Sequence, residues 1–177
     1  MPSTVTCAPG TDANGFQDPA LNAAELTVEA GAQVQGEIAL GTDIVAAIDG
    51  DIIVAGGQSA VDLGAGATVV NNGYLSATPF FDGIISVGNG STVTNTGIIT
   101  TATGNVTAGI LSDGTSTYIN DGLIALRGSG VAGIVGNLNG VGATGGSVTN
   151  TVNGQIIIDN LSAGSGFGLI LFGDGSV

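Results

Sequence analysis

Two aspartates one residue apart, Asp49 and Asp51 in "IDGDI" (48–52), form the clearest candidate for chemistry in this chain. A carboxylate pair can cleave a glycosidic bond, one group as acid and the other as base or nucleophile. Clustered carboxylate oxygens also suit Ca²⁺. Residues two apart on a strand share a face, so Asp49 and Asp51 make up an alternative acidic site, with Asp62 and Asp82 expected near them from adjacent coils. A turn carrying solvated carboxylates explains the same residues and is the preferred account.

Other chemistry is excluded by residue type. The chain has no histidine, so no Ser-His-Asp or Cys-His system can be assembled. Its single basic side chain is Arg127, and a guanidinium does not give up its proton to serve as a base. The phosphate-binding G-x-x-x-x-G-K-[ST] loop is absent, as is the tandem G-G-x-G-x-D repeat of Ca²⁺-binding β-rolls. Cys7 is the only cysteine, so it has no internal disulfide partner and cannot build a thiolate metal site. The expectation is a non-enzymatic protein with no catalytic residue, no cofactor and no metal.

Charge narrows the partners. Fourteen acidic residues against one basic give a net charge of −13, which disfavours nucleic acid and anionic membrane surfaces. The acids keep an apolar chain soluble: 43% of the 177 residues are hydrophobic, 8% are charged, and 33 are glycine. The longest apolar run, near "GFGLILFG" (166–173), is too short for a membrane-spanning helix, so no direct membrane insertion by this segment is expected. The opening "MPSTVTCAPG" lacks the basic start and apolar stretch of a signal peptide.

The elements that would position any site come from a repeat. "ATVVNNGYL" (67–75), "STVTNTGII" (91–99), "STYINDGLI" (116–124) and "GSVTNTVNGQII" (146–157) align on Asn71, Asn95, Asn120 and Asn150. The first two intervals between these asparagines are nearly equal and the last is stretched. Gly73, Gly97 and Gly122 follow two positions later, and Gly154 comes late. A second phrase, glycine then aliphatics, recurs at Gly83, Gly109, Gly133 and Gly168. Short β-branched segments punctuated by Gly and Asn favour strands and turns. The fold class is therefore all-β: a parallel β-helix, or β-solenoid, of about 24–26 residues per coil, with two or three strands in each. Val69, Val93, Tyr118 and Val148 are expected to form one inward column, and Ile84, Ile110, Ile134 and Leu169 another. Stacked amides form ladders, so Asn71, Asn95, Asn120 and Asn150 are expected as a structural ladder, with the following glycine supplying a positive φ.

Residues 1–24 lack the repeat and are expected as an N-terminal cap or lead-in. Residues 25–177 form the repeat domain, with an irregular or enlarged first coil and a bulging loop at 136–146. The closing "FGDGSV" (172–177) matches places where a coil is about to begin, so the β-helix is expected to continue beyond Val177. Function is expected where the repeat breaks, at 39–62, at 136–146 or past residue 177.

The phrases "TVTCAPGTDANGF" (4–16), "LTVEAGAQVQG" (26–36), "GATVVNNGYLSA" (66–77), "STVTNTGIIT" (91–100) and "TYINDGLIAL" (117–126) resemble the N-terminal β-helical passenger domain of bacterial autotransporters, in which V-x-N-x-G-x-I phrases are common. The resemblance implies a secreted or surface-displayed segment exported through the outer membrane. It also implies a C-terminal β-barrel translocator in the full-length protein and a role in adhesion or self-association, with a host or surface ligand. The alternative is a carbohydrate-binding or carbohydrate-cleaving module using acidic residues. Two Tyr, five Phe and no Trp leave few platforms for sugar stacking. A regular outward Thr array would suit ice. The repeats show one regular column (Thr68, Thr92, Thr117, Ser147), and Thr-x-Thr occurs at Thr92 and Thr94 while Val70 and Ile119 interrupt it, so the sequence gives ice binding little support.

Overall fold

The computed structural model describes residues 2–79, 82–101, 108–128, 131–136, 146–160 and 166–171. Within them the chain runs through 21 strands without a helix. The strands form three parallel sheets of seven. Sheet A holds β1 (Thr4–Cys7), β4 (Glu25–Val28), β7 (Val45–Ile48), β10 (Thr68–Asn71), β13 (Thr92–Asn95), β16 (Thr117–Asn120) and β19 (Ser147–Asn150). Sheet B holds β2 (Gly10–Asp12), β5 (Ala32–Val34), β8 (Asp51–Ile53), β11 (Tyr74–Ala77), β14 (Ile98–Thr101), β17 (Leu123–Gly128) and β20 (Gln155–Asn160). Sheet C holds β3 (Phe16–Asp18), β6 (Ile38–Leu40), β9 (Val61–Leu63), β12 (Gly83–Val87), β15 (Ala108–Ser112), β18 (Ala132–Gly136) and β21 (Phe167–Leu171). Each coil gives one strand to each sheet, which is a parallel β-helix.

Residues 1–24 supply β1, β2 and β3, the end strand of every sheet, and so form the first rung of the stack. Corresponding positions in sheet A run from Thr4 through Glu25, Val45, Thr68, Thr92 and Thr117 to Ser147. The interval is smallest between Glu25 and Val45 and largest between Thr117 and Ser147. The first coil, expected as irregular or enlarged, is instead among the shortest. Of the loop expected at 136–146, residues 137–145 lie outside the described residues.

Alternation places side chains by face. In sheet A the buried positions include Val69, Val93, Tyr118 and Val148, in register and at most 3% exposed. The outward positions form two columns. One runs Thr4, Glu25, Val45, Thr68, Thr92, Thr117, Ser147; the other runs Thr6, Thr27, Ala47, Val70, Thr94, Ile119, Thr149. In sheet B, Val34, Ile52, Leu75, Ile99 and Ile124 stack inside. Each such side chain contributes about 1.5–3 kcal/mol by leaving water.

Sheet C corrects one expected column. Gly83 pairs with Ala108, and Ile85 pairs with Ile110. The positions in register are therefore Ile85, Ile110, Ile134 and Leu169, and Ile84 is not one of them. "GII" offers two adjacent isoleucines, and pairing of Ile85 with Val61 on the rung below selects the second. Ile84 is buried as well, at the place the next rung gives to Gly109, where an added Cβ would strike Ile124.

The glycines after the Asn column also differ from expectation. Positive φ occurs at Gly66 and Gly90, among others, but not at Gly73, Gly97 or Gly122. These three are required by close approach: a Cβ on Gly97 would overlap the Gly73 carbonyl, and one on Gly122 would overlap the Gly97 carbonyl. The same corner carries the inter-rung hydrogen bonds Ile98 N to Gly73 O (2.9 Å) and Leu123 N to Gly97 O (2.9 Å). Gly97→Ala is expected to cost about 1–3 kcal/mol, as overpacking does. Gly168→Ala, with open space around it, is expected to stay within about 0.5 kcal/mol of the parent. Urea unfolding of both variants checks the contrast.

Candidate functional site

The end of each sheet A strand turns a side chain into the corner of the coil. From the first rung upward this column is Cys7, Val28, Ile48, Asn71, Asn95, Asn120 and Asn150. It begins apolar and becomes amide at the fourth rung. Asn71 Nδ2 donates to Asn95 Oδ1 (2.7 Å), Asn95 Nδ2 to Asn120 Oδ1 (2.8 Å), and Asn120 Nδ2 to Asn150 Oδ1 (2.7 Å). Asn150 Nδ2 closes the series on Gly154 O (2.9 Å). Asn71, Asn95 and Asn120 are fully buried. Because the rung below offers Ile48, Asn71 Oδ1 is a buried acceptor without a partner. The ladder runs in one direction, each amide satisfying the next, and its whole deficit sits at the first member.

Asp49 lies in the corner between β7 and β8, and Asp51 opens β8. Asp49 is exposed there and accepts from Asn72 Nδ2 (2.8 Å). Thr96 Oγ1 donates to Asn72 Oδ1 (2.5 Å) one rung further on. Asp49 therefore heads a short polar ladder on the outside of the corner. Asp51 sits on sheet B between Gln33 and Tyr74. Asp62 and Asp82 do not join them.

The carboxylates that do gather lie on sheet C. Asp62 is an outward residue of β9, in register between Ala39 and Ser86. Glu37 precedes β6 and Asp82 precedes β12. Burial pushes the Asp62 carboxyl up to about 6, with the charges of Asp82, Glu37 and Asp113 adding to it. Glu37 is raised by burial, opposed by a hydrogen bond from the Ser59 backbone, and raised further by Asp82. Glu37 Oε2 accepts from Gln17 Nε2 (2.8 Å) and Gln58 Nε2 (3.2 Å), while Asp82 Oδ1 accepts from Gly83 N (2.8 Å) and Ser86 Oγ (2.6 Å). Neutral donors thus do what cations usually do. Arg127, the one basic side chain, pairs with Asp159 on sheet B (3.2 Å). Glu37 and Asp62 stand close to one coil period apart in the chain, so the signal for this cluster lies in the repeat spacing rather than in neighbouring carboxylates such as Asp49 and Asp51.

Among the described residues, two of the cavities lie elsewhere on the stack. One of about 260 Å³ opens at the first rung against Val5, Cys7, Phe16, Ala32 and Val34. Burial, then the nearby Asp12 charge, raises the Cys7 pKa, which keeps the thiol protonated and a weak nucleophile. The other, about 390 Å³, lies beside Gln33, Gln35, Ile53 and Thr78. Among the described residues no three His, Cys, Asp or Glu side chains are arranged to hold a metal ion, and no helix is long and apolar enough to cross a membrane. Comparison with protein families, curated proteins and solved structures finds no match to this chain.

The ladder geometry separates two substitutions of the same type. Asn95→Ile strands both Asn71 Nδ2 and Asn120 Oδ1, and each buried unpaired group costs about 1–3 kcal/mol. Asn71→Ile extends the Ile48 column and only moves the unpaired acceptor up to Asn95. Chemical unfolding is expected to show a loss of about 2–6 kcal/mol for the first and within about 1 kcal/mol for the second.

The acidic cluster sets a pH dependence with a definite sign. Asp62 has a folded pKa of about 6 against an ordinary value of 3.8, so the folded state binds more protons between those values, and stability falls as pH rises through that window. The melting temperature is expected to climb as the pH is lowered from neutral through that window. Asp62→Asn should melt higher than the parent at neutral pH and show a flatter profile.

Proposed function

We propose that this chain is a non-enzymatic structural and adhesive segment of a secreted or surface-displayed bacterial β-helix, an autotransporter-type passenger, working by adhesion or self-association. The observation that supports this reading most is the stack itself: seven rungs in three parallel sheets, with large apolar side chains such as Val45, Ile98 and Ile157 on the outside. A long stack offers area for contact without needing a pocket. In this account the segment does not itself enter the membrane, and a C-terminal β-barrel translocator in the full-length protein carries it through the outer membrane to the cell surface.

Light scattering over a concentration series tests the association. The apparent mass is expected to rise with concentration, and beads coated with the chain are expected to cluster or to adhere to cells. A chain that stays monomeric throughout, on beads that neither cluster nor adhere, would remove the adhesive reading.

A further inference from the structure

The outer face of sheet A is rich in hydroxyls and poor in charge. Nine of its fourteen outward positions carry a hydroxyl, four are Val, Ala or Ile, and only Glu25 is charged. This stands out on a chain of net charge −13. The repeats reveal one regular Thr column. Stacking places a broken second column beside it, Thr6, Thr27, Thr94 and Thr149 with Ala47, Val70 and Ile119 at the gaps, so that Thr4 and Thr6, Thr92 and Thr94, and Ser147 and Thr149 form hydroxyl pairs. Rungs repeat about every 4.8 Å, and the columns lie about 6.6 Å apart. Seven rungs make a strip about 29 Å long.

We propose that the outer face of sheet A is an ice-binding surface. Each Thr presents one hydroxyl, able to donate and accept, and one methyl. Its branched Cβ holds both in few rotamers, and the sheet holds every Cβ in register. Water bridging such hydroxyls is placed in a two-dimensional array before any crystal is met, which lowers the ordering cost of docking. The occupant must then be planar, periodic, uncharged and hydrogen-bonding. Crystalline polysaccharide meets the same description, but sugar faces favour aromatic platforms, and the one aromatic of this sheet, Tyr118, is buried inside. A nucleic acid or anionic surface would need cations that the face lacks.

The inference does not depend on the passenger reading. The test grows ice slowly from a solution of the full chain and compares the protein content of ice and remaining liquid. The chain is expected to enter the ice while a non-binding control protein is excluded, and single crystals grown in its presence should be faceted. Thr92→Tyr with Thr94→Lys, at the middle of the strip, should abolish the enrichment. Thr68→Lys with Thr117→Lys does the same on the neighbouring rungs and serves if the first pair is poorly folded by circular dichroism. Gln155→Lys on sheet B should keep it. Exclusion of the parent chain from ice would overturn the proposal. So would undiminished enrichment of the folded face variants, or binding to microcrystalline cellulose or chitin without binding to ice.

Discussion

Backbone hydrogen bonding between successive coils is the constraint on which everything else in this protein depends. Every strand in the interior of a sheet pairs in parallel with one coil below and one above, so a residue's environment is set by the residues one coil away rather than by its neighbours in sequence. The corner at Gly73, Gly97 and Gly122 shows how tight this is. The carbonyl of one rung lies where a Cβ of the next would have to go. Only a coil whose corner residue lacks a side chain can keep the rung spacing of a sheet.

The buried polar groups follow from the same constraint. An amide in an apolar core is costly unless it is paired. Stacking in register supplies each Asn with a partner of its own kind, which is why Asn95 and Asn120 can be fully buried. Where the column changes from aliphatic to amide, at Ile48 and Asn71, the pairing fails by one group. Ser91 and Ser116 follow a related pattern: Ser91 Oγ accepts from Ala67 N (3.1 Å) and Ser116 Oγ accepts from Ser91 N (3.1 Å). Tyr118 replaces a valine in its inward column. Its hydroxyl lies buried near Ser112 and Ser116 without a partner at hydrogen-bond geometry, and burial raises its pKa.

The outside of the stack is partitioned by face. Sheet C collects Glu37, Asp62 and Asp82, and lacks a basic partner among the described residues. Sheet B carries the Arg127–Asp159 pair and the exposed Ile98 and Ile157. Sheet A is nearly free of charge and rich in threonine. A solenoid can keep such chemistries apart because each sheet face is a separate plane, and a substitution in one coil changes a single point of one plane.

Much of this was legible in the sequence. The Asn and Gly phrases recurring at coil spacing identify the solenoid, the inward column from Val69 to Val148 and the Asn series, since a repeating environment demands repeating residues. The first rung was hidden because its strands carry no copy of the phrase: Cys7 and Asp12 stand where later coils have Asn and Ile or Leu. The choice of Ile85 over Ile84, the close approach behind the corner glycines, the gathering of Glu37 with Asp62 and the second hydroxyl column on sheet A were decided only by the stacked structure. Each depends on which residue of one coil meets which residue of the next. The coils are unequal in length, shortest between β4 and β7 and longest between β16 and β19. That register is therefore a property of backbone pairing between coils, which no single segment contains.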